Sequence, residues 1–195
     1  MNSRTYQLSA TPNETNAEDE SNFAHALVRP LQAEQLLDAL AQVTGVAAEF
    51  TGQRPGIRAG QLPGVFAQRR RGELGGRPTE SERFLFAFGK PVRSLSCECE
   101  RSDDTTLGQA FQMITSKMLD GMLRKEDNRI GRLLAAGKTN AAIVEECYLA
   151  ALNRLPRASE KASAVALVER ARNRRAALED LLWGLVNAKE FLLRR

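Results

Sequence analysis

The run Cys97-Glu98-Cys99-Glu100-Arg101 concentrates the reactive groups of this sequence: two thiols, two carboxylates and a guanidinium within five residues. In extended backbone, side chains alternate between faces. Cys97, Cys99 and Arg101 would then share one face, and Glu98 and Glu100 the other. Three roles fit the cysteines. Cys97 and Cys99 could give two thiolates to zinc or copper, although a site needs further ligands and no second such pair exists. They could form a strained, easily reduced disulfide, and Arg101 beside them would lower a thiol pKa. Or they are small buried thiols, with the carboxylates paired to arginines such as Arg93 or Arg101; this structural role asks least of the sequence. Glu98 and Glu100 could also do acid–base work or hold a divalent cation, but acids at i and i+2 are common by chance.

Other chemistry is sparse. The third cysteine is Cys147 and the lone histidine is His25. An odd cysteine count is a poor disulfide framework. Any Cys–His or Ser–His nucleophile would have to use His25, in a polar stretch. The sequence has no dinucleotide-binding glycine pattern, phosphate loop, Gly-x-Ser-x-Gly, His-Glu-x-x-His or haem-attachment motif. Arg69-Arg70-Arg71 and the arginines at 170, 172, 174 and 175 could touch phosphates. Solvated loops and helix junctions explain them as well, and nucleic acid is the least favoured partner. Trp183 and Tyr148 read as core side chains rather than stacking platforms.

The elements that must position these groups fall into three parts. Residues 1–29 are polar, with the acidic run Glu18-Asp19-Glu20, and read as extended or loop-like. Within 30–103, Pro30 opens a helix whose apolar face is Leu36, Leu37, Leu40 and Val43, stopped by Gly45. An irregular stretch follows: eight of the 14 glycines and four of the seven prolines lie between residues 46 and 96. Alternating Phe84, Phe86 and Phe88 predict a short strand. Residues 104–195 read as helices. The first, over Leu107 to Ile114, is capped by Asp104 or Thr105. The next runs from a Ser116 cap to Leu123, and another carries Ile130, Leu133 and Leu134 and stops at Gly137. Thr139 opens one that ends at Pro156, with Ile143, Val144, Cys147, Ala151 and Leu152 on one face. Ser159 opens one using Ala162, Val165 and Ala166, continued by Val168-Glu169. The last, from about Arg175 to Phe191, buries Leu178, Leu181, Leu182, Leu185 and Val186. The expected fold is mainly α: a C-terminal antiparallel helical bundle, an irregular Gly/Pro-rich N-terminal half, and at most short strands.

Composition bounds the rest. The 195 residues are 43% hydrophobic and 27% charged, an ordinary globular balance. The formal charge of +4 is mild, and arginine supplies 22 of the 28 basic side chains. By segment it alternates: −5 over 1–50, +6 over 51–96, −2 over 97–129 and +5 over 130–195. Alternation favours pairing between segments over one continuous basic face. No stretch approaches the roughly 20 apolar residues of a membrane span. Residues 1–22 carry no apolar signal region, so the sequence as written would stay in the cytoplasm. The opening Met1-Asn2-Ser3-Arg4-Thr5-Tyr6 reads like the interior of a longer protein.

Several blocks in order carry a family resemblance. They are Asn2-Ser3-Arg4-Thr5-Tyr6-Gln7-Leu8-Ser9, Asn13-Glu14-Thr15-Asn16, Leu36-Leu37-Asp38-Ala39, Gln42-Val43-Thr44-Gly45-Val46 and Phe88-Gly89-Lys90-Pro91. The Cys97–Arg101 box follows, then Glu145-Glu146 before Tyr148-Leu149, and Leu181-Leu182-Trp183 before Asn187-Ala188-Lys189-Glu190-Phe191. Together they resemble the C-terminal part of the planctomycete cytochrome-associated family, domain of unknown function 1553. The box in that order is the specific element; the helical tail alone would be weak. Two stretches depart from the family pattern: Arg69 to Glu82, which looks inserted, and Asn153-Arg154-Leu155-Pro156-Arg157, in place of an Arg-Pro-Pro turn.

The resemblance implies a large exported or periplasmic protein, in many members with an upstream haem domain, of which this chain would be a piece. It offers no catalytic residues to transfer. The expectation is a non-catalytic interaction or structural module, redox-linked or polysaccharide-associated, whose partners are other domains or proteins of the same exported system. The alternative is a polar pocket for a cation or sulfated sugar. It would use Arg4, Tyr6, Arg93, Glu98, Glu100 and Arg101, with Cys97 and Cys99 as ligands if a divalent metal is bound; otherwise no cofactor is expected.

Overall fold

The computed structural model describes residues 4–19, 21–26, 28–62, 78–90 and 116–194. Among them the fold is mainly helical, as expected. Helix α1 spans Ala33–Thr44 and buries Ala33, Leu36, Leu37, Leu40, Val43 and Thr44, the spacing of one helical face. Pro30 does not open it. That residue lies in a two-residue strand, and the helix starts where the Gln35 side chain accepts a hydrogen bond from the Gln32 N–H at 3.2 Å. Gly45 ends it in the left-handed region, with φ 71°, its N–H donating to the Ala41 carbonyl at 2.9 Å. The Arg132 guanidinium lies against this position, but as the end of a flexible side chain it can move aside, so the left-handed backbone is what favours glycine.

The strand expected at Phe84–Phe88 is a helix, α2, Glu80–Ala87. Thr79 accepts from the Glu82 N–H, and the Glu82 carboxylate accepts from the Thr79 N–H at 2.7 Å, a reciprocal cap that starts a helix. Three alternating aromatics are too few to define a period against that cap. Phe84, within α2, and Phe88, its C-terminal cap four residues on, stack with ring centroids 4.2 Å apart, while Phe86 is exposed.

The remaining helices follow closely on one another. They are α3 (Lys117–Arg124), α4 (Arg129–Ala135), α5 (Asn140–Leu152), α6 (Ala158–Arg170), α7 (Arg174–Val186) and the single turn α8 (Lys189–Leu192). Ser116, Asn128, Thr139 and Asn173 cap α3, α4, α5 and α7 through side-chain oxygens. Helix α5 ends at Leu152, four residues before Pro156, because Asn153 adopts φ 54° and closes it. Helix α6 opens one residue before Ser159 and buries Val168, as expected, together with Ala164; Val165 packs partly buried against the core, while Ala162 is exposed. The expected final helix is broken at Asn187-Ala188 into α7 and α8. Trp183, expected in the core, is 38% exposed. The inward face of α7 is Leu178, Leu182, Leu185 and Val186, which turns position 183 outward. Tyr148 is buried as expected.

Helices α5, α6 and α7 pack on one another, and α1 packs on α2, α3, α4 and α5. One core therefore joins both halves of the chain. The stretch after α1 contributes to it by alternation, with Val46, Ala48 and Phe50 buried and Ala47 and Glu49 exposed. A two-residue strand β1 (Arg29–Pro30) pairs antiparallel with β2 (Leu193–Arg194). No helix among the described residues is long and apolar enough to cross a membrane. The helix expected over 107–114 and the extended box at 97–101 lie outside the described residues.

Candidate functional site

Of the pocket suggested by the sequence, Arg93, Glu98, Glu100 and Arg101 lie outside the described residues, as do the metal-ligand candidates Cys97 and Cys99. Arg4 is exposed and opens a 3₁₀ turn, Arg4–Gln7, that includes Tyr6. The segment after it is shaped by its own polar side chains. The Asn13 side-chain oxygen accepts from the Thr15 and Asn16 N–H groups, and the Asn16 amide donates to the Ala24 carbonyl at 3.2 Å. The Asn22 N–H holds the Asp19 carboxyl below the usual carboxylate range. Asn13 and Asn16 thus have a turn-building role.

The described charged groups form a set of clamps. Arg129 donates Nε to the Val43 carbonyl at 2.7 Å and Nη2 to the Gln42 carbonyl at 2.9 Å, while Nη1 meets Glu146 at 2.6 Å. Arg132 donates to the Gly45 carbonyl at 3.2 Å. Two cations from α4 thereby close the C-terminal end of α1, where carbonyls lack helical partners and the helix dipole favours positive charge. Arg174 reaches the Lys138 carbonyl and the Asn140 side chain, both at 2.7 Å. Arg175 reaches the Lys125 carbonyl at 2.8 Å and Glu179 at 2.7 Å. The junction that looked like a phosphate contact is thus half committed to backbone; Arg170 and Arg172 stay exposed.

Arg154 is the most fully engaged. Its five N–H donors serve Glu190 (2.7 and 3.0 Å), Glu160 (2.8 and 3.0 Å) and the Leu155 carbonyl (3.2 Å). Its guanidinium carbon lies 5.5 Å from the Tyr148 ring centroid, within cation–π range. The hydrogen bond from Arg154 holds the Glu160 carboxyl down to about 2. The bonds to Glu190 and Glu160 raise the Arg154 guanidinium above its already high value. No donor is left for an anionic ligand. The turn at 153–157 therefore carries a structural hub.

Carboxylates do the same for the non-helical stretch. Asp38 accepts from the Ala59 N–H at 2.6 Å and the Gly60 N–H at 3.0 Å. Buried Glu82 accepts from the Thr51 N–H and hydroxyl, both at 3.0 Å, besides its cap on Thr79. Cys147 is buried, and burial pushes its thiol up to about 12, which makes it an inert packing group. Among the described residues no three His, Cys, Asp or Glu side chains gather as a metal site needs.

Arg129, Arg154, Asn128 and Glu82 were not singled out from the sequence. Glu82 had a legible signal, lying three residues after Thr79 as a helix cap does. Arg129 and Arg154 had none, because their partners are remote in the chain. Comparison with curated proteins and with solved structures finds no match. The model of a family described as a protein of unknown function (DUF1553) matches residues 1–168, from before the first 3₁₀ turn to within α6. That is most of the chain, which therefore belongs to the DUF1553 family.

Proposed function

We propose that this chain is a non-catalytic interaction or structural module of a larger exported protein system. What supports the reading is the commitment of its charged side chains to its own backbone and to each other. Arg129, Arg154, Arg174 and Arg175 each bridge two or more remote groups, so their charge is used to fix helix ends. A catalytic or anion-binding centre would instead hold polar groups converging with donors to spare. Cross-linking mass spectrometry on the chain in its native cells tests this. Reproducible cross-links from surface lysines such as Lys125 or Lys138 to one exported partner are expected. Only intramolecular cross-links would count against the module.

The box at Cys97–Arg101 carries a second reading, favoured by its two thiols and two carboxylates in five residues. There it would bind a divalent metal through Cys97 and Cys99, or an anion through Arg4, Arg93 and Arg101 with Tyr6. Metal analysis of the purified chain beside a Cys97→Ala/Cys99→Ala variant tests it. Zinc or copper lost in the variant would support it; equal, near-zero metal in both would sink it. Nucleic acid ranks last, because Arg174 and Arg175 already donate to carbonyls.

A further inference from the structure

Residues 188–194 run from the end of α7 back across the molecule to the first strand. Backbone, apolar and charge contacts hold them. The Leu31 N–H donates to the Leu192 carbonyl at 3.0 Å, and β2 pairs with β1 over two residues. Phe191 is buried in the core. Glu190 makes a two-point ion pair with Arg154, at 2.7 and 3.0 Å. A two-residue antiparallel pairing is marginal by itself, and Pro30 lacks an N–H to add to it. A cleft of about 250 Å³ lies where the segment meets α1 and α5, with Ala39, Val43, Ala151, Glu190 and Phe191 in its lining.

At the other end the segment has a firm pivot. The Asn187 side chain donates to the Trp183 carbonyl at 2.8 Å, and the Ala188 N–H donates to the Leu185 carbonyl at 3.2 Å, so α7 is closed before the segment begins. A short element with a closed helix behind it, anchored by buried Phe191 and part-buried Leu192 and tied to Arg154 by a two-point charge contact, has the make-up of a local opening unit.

We propose that residues 188–194 form a latch locked by the Glu190–Arg154 pair, whose release frees the Arg29–Pro30 strand and the Leu31 N–H and opens the cleft against α1 and α5 without unfolding the bundle. Arg154 also holds Glu160, at the start of α6, so the lock is only the Glu190 half of its contacts.

Hydrogen exchange on the full chain tests the latch, comparing the natural sequence with Glu190→Gln and Glu160→Gln. Glu190→Gln is expected to speed exchange of the Leu31 amide about fivefold, with the amides of Cys147 and Leu182 unchanged. Glu160→Gln removes the other carboxylate of the same arginine and is expected to leave Leu31 protected. Unchanged Leu31 exchange in Glu190→Gln overturns the latch. So does equal acceleration in both variants, or loss of protection at Cys147 and Leu182 together with Leu31.

Discussion

The two halves of the molecule solve one problem differently. From residue 116 onward, backbone polar groups are satisfied mostly inside helices, and side chains act mainly at the ends: Ser116, Asn128, Thr139 and Asn173 at N-termini, and Arg175 at the C-terminal end of α3. Around residues 46–62 the backbone is largely non-helical, and carboxylates reach across to it, as Asp38 does to the Ala59 N–H and Glu82, from the first turn of α2, to the Thr51 N–H. Both regions share one apolar core. The difference shows that a stretch rich in glycine and proline is held when acidic side chains replace the missing ladder of backbone bonds.

If that comparison is right, the second half should break through its core and the first through its acids. The largest expected effect is at Leu178, fully buried on α7. Leu178→Ala should cost about 2–5 kcal/mol in urea unfolding, from lost transfer energy and the cavity left behind. A loss under about 1 kcal/mol would mean that α7 does not carry the core. Next is Asn128, 1% exposed, which caps Gly131 at 2.8 Å and donates its amide to the Leu123 carbonyl. Asn128→Ala removes a cap and leaves a buried carbonyl unpaired, for about 2 kcal/mol.

Glu82→Ala tests the other half. It strips the acceptor from Thr51 and Thr79 and should cost about 1–3 kcal/mol. The diagnostic readout is local: amide exchange of Thr51 should accelerate more than that of Ile143 in α5. Equal acceleration would show the two regions to be one cooperative unit and erase the distinction. Trp183→Ala should matter less, within about 1 kcal/mol despite the size of the side chain, because the ring is partly outside.

How far the sequence foretold this follows from the same contrast. Local signals worked wherever the deciding contact is local. Ser116, Thr139 and Gly45 lie within a few residues of what they cap, and each helix end they marked is where the structure has it. The reading failed where a local pattern was short, as at Phe84–Phe88, or where the deciding partner is remote. Arg129 meets Gln42 and Val43, Arg154 meets Glu190, and β1 meets β2 across most of the chain. No periodicity carries such pairs. Trp183 was misplaced because apolar type was allowed to outweigh its angular position on α7. The candidate box at 97–101 was legible as chemistry only, and it lies outside the described residues.

The smallest expected effect sharpens the comparison at its boundary, where Arg154 joins α6 to the 188–194 segment. Glu160 is held at about 2 in the folded chain against an ordinary value of 4.5, first by the hydrogen bond from Arg154 and then by the Arg157 N–H. A depressed folded value means the unfolded chain binds the proton more readily. The contribution of Glu160 is therefore fully present above its unfolded value. It fades as pH falls from about 4.5 towards about 2, where the folded carboxylate also protonates. Both partners are partly open to solvent, so water and salt weaken the pair. In a pH series of thermal melts, Glu160→Gln should lie slightly below the natural chain at pH 6 and converge with it near pH 2. Because helix ends in this half are set by side chains, the gap should also be larger for amide exchange in the first turn of α6 than for the global melt. A constant gap from pH 6 to pH 2 would assign the effect of the substitution to packing and remove the ionised Glu160 from the clamp.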